Sequence, residues 1–155
     1  MNIPKLNANM ANPVDQIMAG DLTPGIYRLR SDLNADHIVA PLNKVGWRGF
    51  YIEGQIVKSK ADFLRMAGAT MSFPAYCGPN WDAFDECLRD LSWVRAAGYV
   101  LIYDNVWYFP RNDRPAWREA RSILADAIDF WGKAGVPFYV FLRQTWWYAH
   151  DIPRI

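Results

Sequence analysis

A chain of 155 residues, 52% apolar and 21% charged, carries enough apolar side chains for a core, and its net charge of +1 excludes a global electrostatic pull toward nucleic acid or an anionic membrane. A globular chain of this length buries roughly 70% of the surface its unfolded form exposes, which fits one domain over residues 1–155. Two cysteines do not make a secreted disulfide framework, and no run approaches the roughly 18 apolar residues of a membrane span, so a cytoplasmic protein with reduced thiols is expected.

Residues 1–24 are rich in Asn, Pro and small residues and predict an irregular lead-in, with a short helix over 13–18. Lys5 is not followed by the continuous apolar stretch of a signal peptide. Residues 25–30 alternate apolar and polar, the period of a strand with one wet face. Residues 34–42 predict a helix that Pro41 should kink or shorten. Residues 49–53 read as a buried strand ending at Gly54, and strand, helix, strand make a βαβ unit. Ser59 and Asp62 approximate a capping box for the next helix, with Phe63, Leu64, Met66 and Ala67 on its buried side.

Residues 73–91 are the most informative stretch. Pro74, Gly78 and Pro79 interrupt regular structure and predict a loop, with Gly78 as its turn residue. Asn80 suits the cap of a following helix, and Asp82 falls where the helix dipole favours negative charge. Phe84, Cys87, Leu88 and Leu91 have the spacing of a buried face, which makes Cys87 a small buried hydrophobe and leaves Cys77 in the loop. On the opposite side Asp82, Glu86 and Asp90 recur every four residues, with Asp85 beside them. Like charges at that spacing cost a few tenths of a kcal/mol per pair, and Arg89 offsets part of this. A solvated helix face is the plain reading; a binding face is the other.

Residues 99–103 form a nearly continuous apolar run, as a central parallel strand requires. Residues 106–114 predict a loop with a helical turn, whose Trp107, Tyr108 and Phe109 should fold back on the core. Pro115 suits the first turn of a long helix with Trp117, Ala120, Leu124, Ala127, Ile128 and Trp131 inward, ended by Gly132 or Gly135. Arg111, Arg114, Arg118 and Arg121 could touch nucleic acid, or be a solvated helix face with Trp117 inward, which the helical phase favours. Residues 138–142 are the last strand. The tail over 144–155, with Trp146, Trp147 and Tyr148, should cover a sheet edge rather than form a dimer patch.

No cofactor is implied. His37 and His150 lack metal-ligand spacing, there is no Gly-rich phosphate loop, and nothing supplies Cys77 with a histidine base. Asp82 and Glu86 project together from one helix face and do not oppose each other across a bond, so paired-carboxylate hydrolysis is discounted and the chain is read as a non-enzyme.

The run Tyr76-x-Gly78-x-Asn80-x-Asp82-Ala83-Phe84, followed by Glu86-Cys87-Leu88, resembles the signature of the barstar family of small intracellular inhibitors of bacterial ribonucleases. The likeness covers roughly 48–143. It implies an α/β fold with a small parallel sheet of three strands packed with helices. Residues 1–46 would be an N-terminal strand and helix adding a fourth strand, 47–143 the barstar-like body and 144–155 a C-terminal tail. It also implies that Tyr76, Cys77, Gly78, Asn80, Trp81, Asp82, Asp85, Glu86 and Asp129 contact a partner, a basic ribonuclease or other basic nuclease toxin. Neither direct nucleic-acid nor membrane binding is expected, and the chain should be a monomer or weak dimer. Three positions depart from the family's pattern: Cys77 replaces its second Tyr, Asp85 the aromatic between its two helix acids, and Phe130 an acid of its penultimate helix, with Asp129 adjacent. The alternative is an interaction domain that uses the same acidic face without inhibiting a nuclease.

Overall fold

The computed structural model describes residues 12–155, except the Trp147 side chain; the expected lead-in over 1–11, with Lys5, and any role of the Trp147 ring lie outside that part. The elements run α1 (Pro13–Ala19), β1 (Ile26–Arg28), α2 (Ala35–Lys44), β2 (Arg48–Glu53), α3 (Lys60–Thr70), α4 (Trp81–Asp90), β3 (Tyr99–Asp104), α5 (Tyr108–Asn112), α6 (Arg114–Lys133) and β4 (Phe138–Leu142). The four strands form one parallel sheet in the order β1-β4-β3-β2. The fourth strand is thus present, but β1 and β2 are not neighbours. They lie at opposite edges, and the connection through α2 spans the two strands between them.

β3 is buried on both sides, so its side chains serve two cores by simple alternation. Tyr99, Leu101 and Tyr103 join Phe50, Ile52, Phe138, Val140 and Leu142 against α3 to α6. Val100 and Ile102 join Tyr139 and Phe141 against α1 and α2. Helices therefore cover both faces, as an all-parallel sheet requires.

α2 runs through Pro41 to Lys44 instead of stopping there. Proline cannot donate to the His37 carbonyl one turn back; the Asn12 side-chain amide does so instead, at 3.5 Å. Gly135, at φ 78°, follows the end of α6 in the left-handed conformation that glycine adopts without strain. The C-terminal tail lies along the outer edge of β1. Arg28 N donates to Pro153 O at 2.7 Å, Ile155 N to Arg28 O at 3.0 Å and Arg30 N to Ile155 O at 3.1 Å. The free edge of β1 is thereby covered, as the tail's composition led us to expect.

Candidate functional site

The acidic helix is fixed at both ends. The Asn80 side-chain oxygen accepts from Ala83 N at 2.8 Å, which satisfies one of the first-turn donors. At the other end Leu91 turns left-handed, its N–H returns to Cys87 O at 3.2 Å, and the Trp131 indole of α6 donates to Leu88 O at 2.9 Å. Phe84, Cys87, Leu88 and Leu91 are all buried, as their spacing predicts. Phe84 meets Phe63, Phe73 and Trp81 with ring centroids 5.3–6.2 Å apart. An inner face of this kind leaves the outer one little freedom to turn.

On that outer face Asp82, Glu86 and Asp90 are exposed, and among the described residues none of them has an ion-pair partner. Asp85 differs. Arg89 grips it with Nε at 3.1 Å and Nη2 at 2.8 Å, and the same guanidinium lies 5.9 Å from the Phe130 ring of α6. Phe130 of α6, 41% exposed, sets an apolar ring beside Arg89 of α4, and the neighbouring Asp129 is exposed.

The loop ahead of the helix carries Tyr76 outermost, 71% exposed, with its ring edge-on to Trp93 at 6.4 Å. Trp93 is held in turn by a bond from its indole to Met71 O at 2.9 Å. Trp81 is half-buried, with the Lys60 ammonium 5.4 Å from its ring. Gly78 is not in the left-handed region expected of a turn glycine. A Cβ there would lie 3.2 Å from the Asn80 amide nitrogen, so its smallness serves the capping side chain. Between this loop and α3 runs a cleft of about 700 Å³, walled by Leu64, Phe73, Pro74, Cys77 and Phe84 and flanked by Lys60 and Arg65.

One expectation is overturned. Cys77 and Cys87 are not separate thiols; they form a disulfide across ten residues of sequence. The loop folds back over α4, so that residue 77 meets the inward face on which Cys87 sits. Closing a loop of that length stabilises by about 3 kcal/mol through the unfolded chain's lost freedom. Composition hid the pair, because two cysteines in an otherwise intracellular-looking chain read as free thiols.

The basic helix behaves differently. Trp117 points inward, 4% exposed. Arg121 binds Asp151 through both carboxylate oxygens, Arg111 lies 5.1 Å from the Trp107 ring, and Arg114 lies 5.5 Å from that of Tyr148. Much of this positive charge is engaged by the protein's own side chains.

A polar network that sequence reading missed lies at the carboxyl ends of β2, β3 and β4. Arg143 is 6% exposed and pairs with Asp104 at 2.5 and 2.7 Å, while its remaining nitrogen donates to the carbonyls of Ser31 and Leu33. The Tyr51 hydroxyl joins Asp104 and Glu53 at 3.1 and 3.0 Å, and Asn105 donates to Glu53 at 2.8 Å. Burial alone would raise the Glu53 carboxyl, but bonds from the Gln55 backbone, Asn105 and Tyr51 hold it below the ordinary carboxylate value. The Tyr51 phenol is pushed far up by burial and by these two acids. All three nitrogens of Arg143 donate within the fold, so we read this network as structural. Among the described residues no three His, Cys, Asp or Glu side chains are grouped to hold a metal, and no helix is long and apolar enough to cross a membrane.

Comparison with known protein families matches residues 47–143 to Barstar (barnase inhibitor). Comparison with curated proteins gave no match.

Proposed function

This chain belongs to the Barstar (barnase inhibitor) family, and from that premise we propose that α4 and the loop before it dock into the active site of a basic ribonuclease and block it. The observation that carries the reading is the exposure of Asp82, Glu86 and Asp90, without ion-pair partners among the described residues, on a helix capped at both ends. A ribonuclease site must be basic because it binds phosphate. Carboxylates on a rigid support can occupy the phosphate positions without needing to be ordered on arrival. Asp82 and Glu86 would meet the catalytic cations; Tyr76, Cys77, Gly78, Asn80 and Trp81 would shape the contact with the base-binding cleft, and Asp129 would extend the acidic rim. Asp85 has a smaller share, because Arg89 already balances its charge.

Association should be steered by charge and therefore slow as salt rises. A cytoplasmic inhibitor of this type suits the immunity half of a toxin–immunity pair. The test is titration of the protein against a panel of microbial ribonucleases, which should reveal stoichiometric loss of activity for at least one. A panel in which no enzyme is bound would refute the proposal.

A second reading is favoured by Phe130, which presents an apolar ring where the family pattern has an acid. The same face would then hold a basic protein that is not a nuclease. Affinity capture from the native host separates the two readings by the identity of what is retained.

A further inference from the structure

We propose that the Cys77–Cys87 bond is a redox latch on the docking loop: oxidised, it holds the loop in binding shape; reduced, it releases the loop and weakens the inhibitor. The inference rests on the docking role given to residues 76–86 above.

The bond joins the middle of the loop to the inner face of α4. Little else ties the loop down. Among the described residues, the backbone bonds over 74–80 are local, from Cys77 N to Pro74 O and from Asn80 N to Gly78 O, both at 3.0 Å. Tyr76 adds an edge contact with Trp93, yet remains 71% exposed. The helix has independent support from its Asn80 cap, its buried aromatic face and the Trp131 bond to Leu88. Opening the disulfide should therefore loosen the loop and spare the helix.

The two sulfurs differ in access. Cys87 is 5% exposed, whereas Cys77 is half-buried and lines the cleft beside α3. A small dithiol entering that cleft would attack the Cys77 sulfur. The S–S bond breaks, Cys87 leaves as a thiolate and takes a proton, and a mixed disulfide remains on Cys77. The reductant's second thiol resolves it, leaving a Cys77 thiol and an oxidised, cyclic reductant. Two electrons and two protons have then passed to the protein. A small-molecule disulfide runs the same exchange backward.

The loop bears Tyr76, Gly78 and Asn80, which the docking reading places in the interface. A loop already held in its bound shape loses less freedom on association, so the oxidised form should bind more tightly, by roughly tenfold or more.

The experiment uses the full chain in three forms: oxidised, treated with dithiothreitol, and Cys77→Ser without reductant. Backbone amide exchange is followed by mass spectrometry. Amides of 75–78, the hydrogen-bonded Cys77 N–H above all, should exchange at least about tenfold faster in the reduced and Cys77→Ser forms, with those of 99–104 unchanged. Unchanged loop exchange, or an equal rise throughout the chain, overturns the latch. Binding is then compared between the oxidised protein and Cys77→Ser, which spares any disulfides of the nuclease from the reductant. Weaker binding by Cys77→Ser, matched by a Cys87→Ala variant that breaks the same bond from the buried face of α4 and keeps the Cys77 side chain, supports the latch; weaker binding by Cys77→Ser alone refutes it. Equal binding refutes the latch and leaves the docking proposal standing. Binding of no ribonuclease by either form refutes the docking proposal, and the regulatory claim with it.

Discussion

On α4 the carboxylates of Asp82, Glu86 and Asp90 are exposed, and among the described residues they lack cationic partners; at the strand ends Asp104 and Glu53 are enclosed by Arg143, Tyr51 and Asn105. The chemical group is the same and its use is opposite. Inside, Asp104 is paired with Arg143 and Glu53 is held by the neutral donors of Tyr51, Asn105 and Gln55, so the network pins the loop after β1 to the central strands. Outside, the charge is held rigidly but left unanswered, and its interaction is available to a partner. Under the docking proposal, what a partner reads is charge that is positioned without being consumed, and abundance of charge alone is not enough.

The largest effect should come from breaking the inner network. Arg143→Ala strands the Asp104 carboxylate under the sheet end and should cost about 3–5 kcal/mol in urea unfolding. The variant that remains folded should still bind a ribonuclease. Loss of binding by folded protein would mean that the two regions are not separate.

Asn80→Ala removes the cap of α4 and should cost about 1 kcal/mol in the same assay, since the Ala83 amide loses its acceptor. Acid should act on the inner region as well. The folded pKa of Glu53 lies below its unfolded value, so its stabilisation is complete above about pH 4.3 and is lost as pH falls through the folded value. Glu53→Gln should flatten that part of the acid limb in a stability profile against pH; an unaltered limb would show that Glu53 contributes nothing there.

Arg89→Ala should have the smallest effect on stability, roughly 0.3–0.5 kcal/mol, because the pair with Asp85 is a partly exposed helical one. It also moves Asp85 from the consumed class to the available class. Association with a basic partner should then become faster at low salt, as stopped-flow mixing would show.

What sequence made legible follows the same division between local and distant. The Asn80 cap, the buried phase of Phe84, Cys87, Leu88 and Leu91 and the acidic outer line are rules within one helix, and all appear in the structure. β2, β3 and β4 are likewise legible as apolar runs, and β1 as an alternating one. Their order is not, because the placement of β1 beside β4 depends on a crossover spanning the whole sheet. The expected shortening at Pro41 does not occur: the His37 carbonyl that the proline cannot bond accepts from Asn12, 25 residues away, which no local rule reveals. The pairing of Arg143 with Asp104 spans 39 residues and carries no motif. Cys77 and Cys87 were close enough in sequence to pair, but the fold-back that joins them is a property of the loop's three-dimensional path.

The most direct measurement is the inhibition constant of the native protein and of an Asp82→Ala, Glu86→Ala double variant against a ribonuclease that the native protein blocks. The expected result is an unchanged unfolding midpoint and inhibition weakened by roughly a hundredfold, with a shallower dependence on salt. Equal inhibition by the two proteins at matched stability would contradict the role assigned to the acidic helix.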